Sequence, residues 1–379
     1  MQKPAPDDLN NLLVYLRTKM TNQVKYDRNK DRQGLFKEDF FKTSYSENLQ
    51  LLQEWIEESK SDSTIPSDAL PQQLYLTMLT EYTAGFPIEE IKQRMEQIVY
   101  YCKQCLDIHR QYGQEEDIMF IWGPEEWAGE EQPNIIGLCL LFERMDWLET
   151  IKDGLNPYND DEMYYDPSFR ALINMALPTK FDPSAKFAKG GHNFRKPLLQ
   201  AIMAESKEES LKYLNTYLTG WYEGNRKIGN LLIDTHLNQD PEYGGYIGYW
   251  SFESAAIAYL KDLDDTSLRQ YLYYPKDMVD WAREQKLKHE QEQDCDGNLP
   301  LLLNAGIPAP FSGRYGIDNF IGHEIQINQG ELLPVGQVSA KRDKNGNPIF
   351  REDTVWRLLK REDKGKVRFS EKEMEELQK

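Results

Sequence analysis

The chain of 379 residues has no long apolar run and few cysteines. No stretch reaches the roughly 18 consecutive apolar residues of a transmembrane helix, and Met1–Asp8 is polar and proline-spaced, unlike a signal segment. Cys102 and Cys105 form a C-x-x-C pair without the second pair or the histidines that would complete a zinc site. We therefore expect a cytoplasmic protein without metal or other cofactor, in which a buried helical face explains these cysteines.

Motifs of phosphate binding and nucleophilic catalysis are also missing. The glycines of residues 243–249 do not follow the G-x-G-x-x-G order, and no G-x-S-x-G elbow marks a serine nucleophile. Asp234 and His236 are two residues apart, on different faces of a helix, which does not favour a shared metal site. We expect a protein that is not an enzyme; a helical hydrolase that uses this pair or paired carboxylates is the alternative.

Positive charge is scarce in the first three quarters of the chain. The formal net charge is −18, and residues 296–379 hold 13 basic and 13 acidic residues, so the whole excess lies before them. Residues 114–166 contain 15 acidic residues and only Arg144 and Lys152 as basic ones. Such a surface repels nucleic acid and anionic membranes and attracts a basic partner. A solubilising surface, or a scaffold for some other basic protein, is the alternative explanation.

The carboxylates that would meet a basic partner are concentrated in two predicted loops, at residues 123–133 and 156–167. The candidate contacts are Glu125, Glu126, Glu130, Glu131, Asp160, Asp161 and Glu162. Adjacent positions in a loop do not define a separation between two carboxyl groups, so the pattern does not favour glycosidase or two-metal chemistry.

Helical periodicity is abundant before Leu299. We predict two long helices between Asp7 and Lys60, then helices over 67–83, from Pro87, over 135–151, 194–204 and 207–218, a helical stretch to about Leu237, and a last helix from Pro275. From Leu299 onward, alternating residues and the pairs Gln329-Gly330 and Asn345-Gly346 predict strands and hairpins. The polar tail from Glu371 is expected to fray.

These patterns predict a mainly α protein, an antiparallel array of about ten or more helices with a small β-rich C-terminal module. The predicted boundaries are residues 1–180 for an N-terminal helical region, 181–294 for a second helical region, and 295–379 for the β-rich module. The sequence does not define the state of self-association.

Pro241–Glu253 is the most unusual stretch, because it interleaves three glycines with three tyrosines and a tryptophan. Tyr243, Tyr246 and Tyr249 are candidate anchors for a partner, and a packed aromatic corner is the alternative. The apolar spacing after Ser251 predicts a buried helix with Glu253 in its first turn.

This stretch also carries a family resemblance. Tyr243–Ala256, together with Leu263–Ser267 and Tyr273–Val279, resembles the signature of the PoNi immunity proteins, and Leu218–Tyr222 fits the same pattern. Tyr82–Ile91 looks like the N-terminal half of that family.

The resemblance implies an all-helical bacterial protein that neutralises a PoNe-type DNase toxin delivered by a contact-dependent system such as type VI secretion. It implies a nuclease domain as partner. Independently of the resemblance, a DNA-cleaving domain presents a basic cleft to phosphates, and we expect the acidic surface to occupy that cleft in place of DNA. Residues 305–358 depart from the pattern and weakly resemble a small β module appended to other immunity proteins.

Overall fold

Helices make up most of the chain up to Asp294, and short antiparallel strands follow, which confirms the predicted class. The computed structural model describes residues 26–61, 69–111, 132–159, 166–177, 192–230, 232–294, 299–317, 324–334, 354–363 and 365–377. Within those ranges, none of the helices combines the length and the apolar character needed to cross a membrane.

The α-helices of the described residues are α1 (Glu38–Ser61), α2 (Ala69–Thr83), α3 (Ile88–Gln111), α4 (Gln132–Leu141), α5 (Met145–Asn159), α6 (Pro167–Asn174), α7 (Lys196–Met203), α8 (Lys207–Lys227), α9 (Phe252–Leu260), α10 (Lys276–Asp294) and α11 (Glu371–Leu377). Three 3₁₀ turns cover His192–Arg195, Thr235–Leu237 and Asp265–Ser267. The first helix predicted before residue 26 lies outside the described residues.

The turn between α2 and α3 forms as predicted. Gly85 adopts a left-handed conformation with φ of 90°. Its N–H donates to the carbonyl of Tyr82 at 3.1 Å, and the N–H of Phe86 donates to that of Glu81 at 3.0 Å. This pair of bonds satisfies the last carbonyls of α2, and Pro87 directly precedes α3.

The single helix predicted over residues 135–151 is wrong, because the chain forms α4 and α5 there. Glu143 ends α4 with φ of 53°, and its N–H donates to the carbonyl of Leu140 at 3.1 Å. The N–H of Arg144 reaches the carbonyl of Cys139 at 3.0 Å. The same bonding pattern usually has glycine at the left-handed position, so this sequence gives no signal of the break.

Two other predicted boundaries are also corrected. The helix predicted over 207–218 continues to Lys227, and the stretch predicted as helical up to Leu237 is a turn with one 3₁₀ segment. The helix passes through Gly224. A Cβ at this position would lie 2.4 Å from the Phe194 ring, so only glycine fits there. The acidic loop predicted from Asn156 begins later, because α5 extends to Asn159.

One hydrophobic core joins the helices from Phe36 to Ala282 and is continuous across residue 180. Cys102 and Cys105 on α3 and Cys139 on α4 are buried in it. This confirms the helical-face explanation of the C-x-x-C pair.

The C-terminal strands are β1 (Leu299–Pro300), β2 (Leu302–Asn304), β3 (Gly313–Ile317), β4 (Glu324–Ile327), β5 (Val355–Arg361) and β6 (Arg368–Phe369). The larger sheet has the order β2-β5-β3-β4, all antiparallel, and β1 pairs with β6. Trp356 and Tyr315 are fully buried in a second hydrophobic cluster of this module. The predicted boundaries of the three regions remain predictions.

Two turns of this module can be compared with the sequence. The predicted turn at Gln329-Gly330 forms, with Gly330 at φ of 87°, whereas Asn345-Gly346 lies outside the described residues. The tail is not frayed over Glu371–Leu377, because a capping box starts α11. Ser370 N–H donates to Glu373 Oε2 at 2.9 Å, and Glu373 N–H donates to Ser370 Oγ at 3.4 Å.

Candidate functional site

The aromatic segment, residues 241–251 before α9, lies inside the helical body, apart from its first residues. Tyr246 and Tyr249 are buried, whereas the Tyr243 side chain is 80% exposed. The Tyr246 ring packs edge-on against Phe36 at 4.9 Å between centroids and against Tyr249 at 5.3 Å. Tyr246 and Tyr249 therefore form the packed corner, and Tyr243 is the tyrosine that a partner can reach.

Gln33 holds this segment to the start of the described chain. Its Nε2 donates to the Tyr249 carbonyl at 2.5 Å and to the Leu272 carbonyl at 3.2 Å. Its Oε1 accepts from the Tyr246 hydroxyl at 2.6 Å and from the Tyr249 N–H at 3.0 Å. All four hydrogen bonds are buried or partly buried, so this one amide satisfies backbone groups that water does not reach.

Thr83, the last residue of α2, holds the next part of the segment. Its hydroxyl lies 2.7 Å from the carbonyl of Ile247 and accepts from Trp250 Nε1 at 2.8 Å. Gly248 sits directly against this hydroxyl with φ of 108°, and a Cβ there would lie 2.0 Å from Thr83 Oγ1. Only glycine combines this backbone conformation with this close approach.

Asp234 and His236, the alternative catalytic pair, have structural partners. Asp234 accepts from the Tyr222 hydroxyl at 2.7 Å and from Arg226 at 2.9 Å. His236 Nδ1 lies 2.8 Å from the Tyr249 hydroxyl. No group of three or more metal-binding side chains occurs in the part of the chain that the structure describes, and the geometry does not favour the hydrolase.

Glu253 is buried in the first turn of α9. Its carboxylate accepts hydrogen bonds from side chains and does not cap the start of the helix. Its Oε1 accepts from the Tyr217 hydroxyl at 2.7 Å, from Ser251 Oγ at 2.6 Å and from Trp221 Nε1 at 3.3 Å. Burial raises the pKa of Glu253, while the bonds from Ser251 and Tyr217 oppose that shift. Trp221 and Tyr217 come from α8, so the carboxyl group joins α8 to α9.

The two downstream stretches that carry the resemblance form two partly buried groups of polar contacts. Asp265 accepts from the Tyr274 hydroxyl at 3.0 Å and from Arg283 Nη1 at 2.9 Å. Asp277 accepts from the Tyr82 hydroxyl at 2.5 Å and also from Arg32. These contacts bind α10 to the turn before it and to the end of α2.

A small pocket beside the segment is lined by Trp221, Asn230 and Tyr249, among others. Its room corresponds to about one water molecule. Sites for small-molecule substrates are far larger, so this pocket does not hold one.

The acidic candidates Glu125, Glu126, Glu130, Glu131, Asp160, Asp161 and Glu162 lie outside the described residues. The two basic residues of the acidic region at 114–166 are described, and both have acidic partners. Arg144 bonds Asp146 at 2.5 Å and Glu96 at 3.1 Å, and Lys152 lies 3.8 Å from Asp153. Arg144 and Lys152 are therefore engaged locally by carboxylates of α3 and α5.

Sequence reasoning missed Gln33 and Asp277, the two polar residues that tie the aromatic segment and α10 to the rest of the body. No local pattern marks Gln33, whose partners lie more than 200 positions away in the chain. Asp277 stands in the stretch that carries the resemblance, which is the one available signal.

The fold is mainly helical, and most of the signature residues before α9 are packed inside the helical body. Residues 171–278 match the family model of PoNe immunity proteins (PoNi), C-terminal. This match confirms the resemblance to the PoNi immunity proteins and supports an immunity protein against a nuclease toxin in general.

A search of curated proteins found no match to the chain. Among solved structures, the chain is similar to the crystal structure of protein PA2201 from Pseudomonas aeruginosa. That match has a TM-score of 0.48 and 15% sequence identity, and it covers 73% of this chain and 98% of the other.

Proposed function

We propose that this protein binds a cognate bacterial DNase toxin and neutralises it by occupying the toxin's basic DNA-binding cleft with carboxylates. The PoNi match over residues 171–278 is the observation that carries the proposal. The protein acts by stoichiometric binding in the cytoplasm of the producing cell, against a toxin delivered by type VI secretion or a similar contact-dependent system.

The charge of the chain supports an electrostatic mode of inhibition. A surface that binds DNA presents cations to phosphates, and the excess of −18 lies entirely in the helical part. Opposite charges raise the rate of encounter between two proteins. Rapid capture is what a cell needs when a nuclease arrives in its cytoplasm.

Helices α3 and α5, which precede the two acidic stretches in the chain, run side by side. Glu96 bonds Arg144 at 3.1 Å, and Arg110, further along α3, bonds Asp153, further along α5, at 3.0 Å. Because the contacts follow the same order in both helices, α3 and α5 run in the same direction. Their C-terminal ends, which precede the two acidic stretches, therefore point the same way, and both ends carry negative dipole charge.

Neutralising the acidic loop tests this mechanism. Glu125, Glu126, Glu130 and Glu131 are changed together to glutamine, and association with the purified nuclease domain encoded beside the gene is followed at low and high salt. We expect slower association at low salt, a weaker salt dependence, and loss of protection in cells that co-express the toxin.

The matched control changes Glu47, Glu54, Glu57 and Glu376 to glutamine, four glutamates that are exposed in the described residues. It alters the net charge by the same amount at other positions. Equal loss of association in both variants would show that only total charge matters. Unchanged binding of the loop variant would exclude this loop as the contact, and failure of the wild-type protein to bind or protect would refute the proposed function.

A further inference from the structure

A turn at residues 237–245, here named the anchor turn, exposes the two most accessible large hydrophobic side chains of the helical body. Leu237 is 69% exposed and Tyr243 is 80% exposed. Tyrosine is one of the residue types enriched at the dominant contacts of protein interfaces, and Leu237 adds apolar surface to the same turn. Neither side chain is needed for the buried corner that follows.

The anchor turn is rigid although it is exposed. Asp240 Oδ1 accepts from the N–H groups of Glu242 at 2.9 Å and Tyr243 at 3.3 Å, and the Asp240 carbonyl accepts from Gly244 at 2.8 Å. A Cβ on Gly244 would lie 2.4 Å from the Phe40 ring, so the turn is pressed against α1. A preformed contact loses less entropy on binding than a flexible one.

Gln239 fastens the anchor turn from its inner side. Its Nε2 donates to the Leu35 carbonyl at 2.7 Å, and its Oε1 accepts from the Lys37 N–H at 2.7 Å. This buried side chain connects the turn to the residues that lead into α1, and the exposed side chains project from a supported loop.

The charges around the anchor turn favour a basic partner over a second copy of this chain. Asp240 and Glu242 are exposed in the turn itself, and Glu38 and Asp39 are exposed in the first turn of α1 beside it. Two exposed cations lie in the same place, Lys37 and Lys42, of which Lys42 pairs with Glu38, so four carboxylates face two cations. Two copies with a net charge of −18 each would bring like charges together. A basic surface with an apolar depression complements both the side chains and their surroundings.

We propose that the anchor turn is a second contact with the cognate nuclease domain, in which Leu237 and Tyr243 enter an apolar depression on the basic toxin surface. This inference rests on the proposed function. The turn at residues 237–245 and the acidic candidates at 125–131 and 160–162 are different parts of the chain, so separate residues make the two contacts.

Separate contacts of different chemistry leave different kinetic signatures. Carboxylates act over long distances and govern the association rate and its salt dependence. Desolvated apolar anchors act only in the docked complex and govern the dissociation rate. The anchor turn is therefore expected to control how long the complex lasts and not how fast it forms.

The test measures association and dissociation rates of the full chain with the purified nuclease domain at two salt concentrations. For the double change of Leu237→Ala and Tyr243→Ala we expect dissociation about 30-fold faster, with the association rate within about threefold and an unchanged salt dependence. Tyr243→Phe keeps the ring and is expected to retain most of the affinity. Leu287→Ala, a residue 55% exposed on α10, is the matched control and is expected to behave like the wild-type protein.

The outcomes separate this inference from the proposed function. A wild-type complex whose dissociation rate does not change in the double variant overturns the anchor while the proposed function stands. Absence of a wild-type complex overturns both. As a control, the melting temperature of the double variant is measured. A value equal to that of the wild-type protein would show that faster dissociation is not caused by loss of the fold.

Discussion

Gln33 and Tyr249 bind each other twice, although 216 positions separate them in the chain. Gln33 Nε2 donates to the Tyr249 carbonyl at 2.5 Å, and the Tyr249 N–H donates to Gln33 Oε1 at 3.0 Å. A side-chain amide thus pairs with the backbone as a neighbouring strand would. It holds the aromatic segment of the family signature against the residues before α1.

Gln33→Leu is expected to lower the free energy of unfolding by about 3 kcal/mol, because it leaves several buried backbone and hydroxyl groups without partners. Gln50→Leu is the control, since Gln50 bonds Glu54 on the exposed face of α1. Chemical denaturation of the three proteins measures the difference. Equal stability of both variants would show that the amide does not hold the segment.

Gly248→Ala is expected to lower the free energy of unfolding by about 3 kcal/mol or more. The added methyl group would collide with the Thr83 hydroxyl, and the φ of 108° is unfavourable for alanine. Gly220→Ala, in the middle of α8 with open space around it, is expected to stabilise the protein by about 0.5–1 kcal/mol. Thermal unfolding of both variants provides the comparison. A Gly248→Ala protein as stable as the wild type would contradict the described packing.

Glu253→Gln tests whether the carboxylate charge or only its acceptor oxygen is needed. Since burial raises the folded-state pKa of Glu253 above its ordinary value of 4.5, the folded state holds its proton to a higher pH than the unfolded state does. The free energy of unfolding of the wild type, relative to Glu253→Gln, is therefore expected to fall as pH rises above 4.5 and through the folded-state pKa.

Denaturation of both proteins across that pH range measures the effect. Glu253→Leu is the companion variant and is expected to lose about 3 kcal/mol, because Tyr217, Ser251 and Trp221 lose their shared acceptor. A wild-type advantage over Glu253→Gln that grows with pH would reverse the sign and refute the raised pKa.

Lys261→Met is expected to lower the free energy of unfolding by about 1–3 kcal/mol. Lys261 Nζ donates to the carbonyls of Ala201, Ile202 and Ala204 at 2.9, 3.1 and 2.9 Å, which completes the C-terminal end of α7. Burial lowers the pKa of this lysine to about 8, so the group loses its proton more readily than an exposed lysine.

The control for that change is Lys207→Met, whose partner Asp262 is itself exposed. Exposed ion pairs contribute little to stability, and we expect a change within about 0.5 kcal/mol. Thermal unfolding at pH 7 separates the two lysines. A similar loss of stability in both variants would show that the three hydrogen bonds from Lys261 to carbonyl groups do not stabilise the fold more than an exposed ion pair does.

Local patterns predicted those parts of the fold that local chemistry decides. The start of α9 after Ser251 follows from apolar spacing, and the break between α2 and α3 follows from a glycine turn before Pro87. Both signals lie within a few residues of the feature that they predict. The break at Glu143 was missed because this left-handed position after a helix is usually occupied by glycine, and here it is a glutamate. The helix predicted over 207–218 was too short, because no local signal shows that it continues through Gly224, which leaves room for the Phe194 ring.

The sequence by itself determined the helical class, the charge excess before residue 296 and the family signature. Each of these depends only on composition or on residues that are close together in the chain. The tertiary structure decided which signature residues are accessible. Tyr243 and Tyr249 lie in the same glycine-rich stretch, yet one projects into solvent and the other is enclosed by Gln33 and His236. Burial depends on partners brought together from distant positions, and no spacing within one segment encodes it.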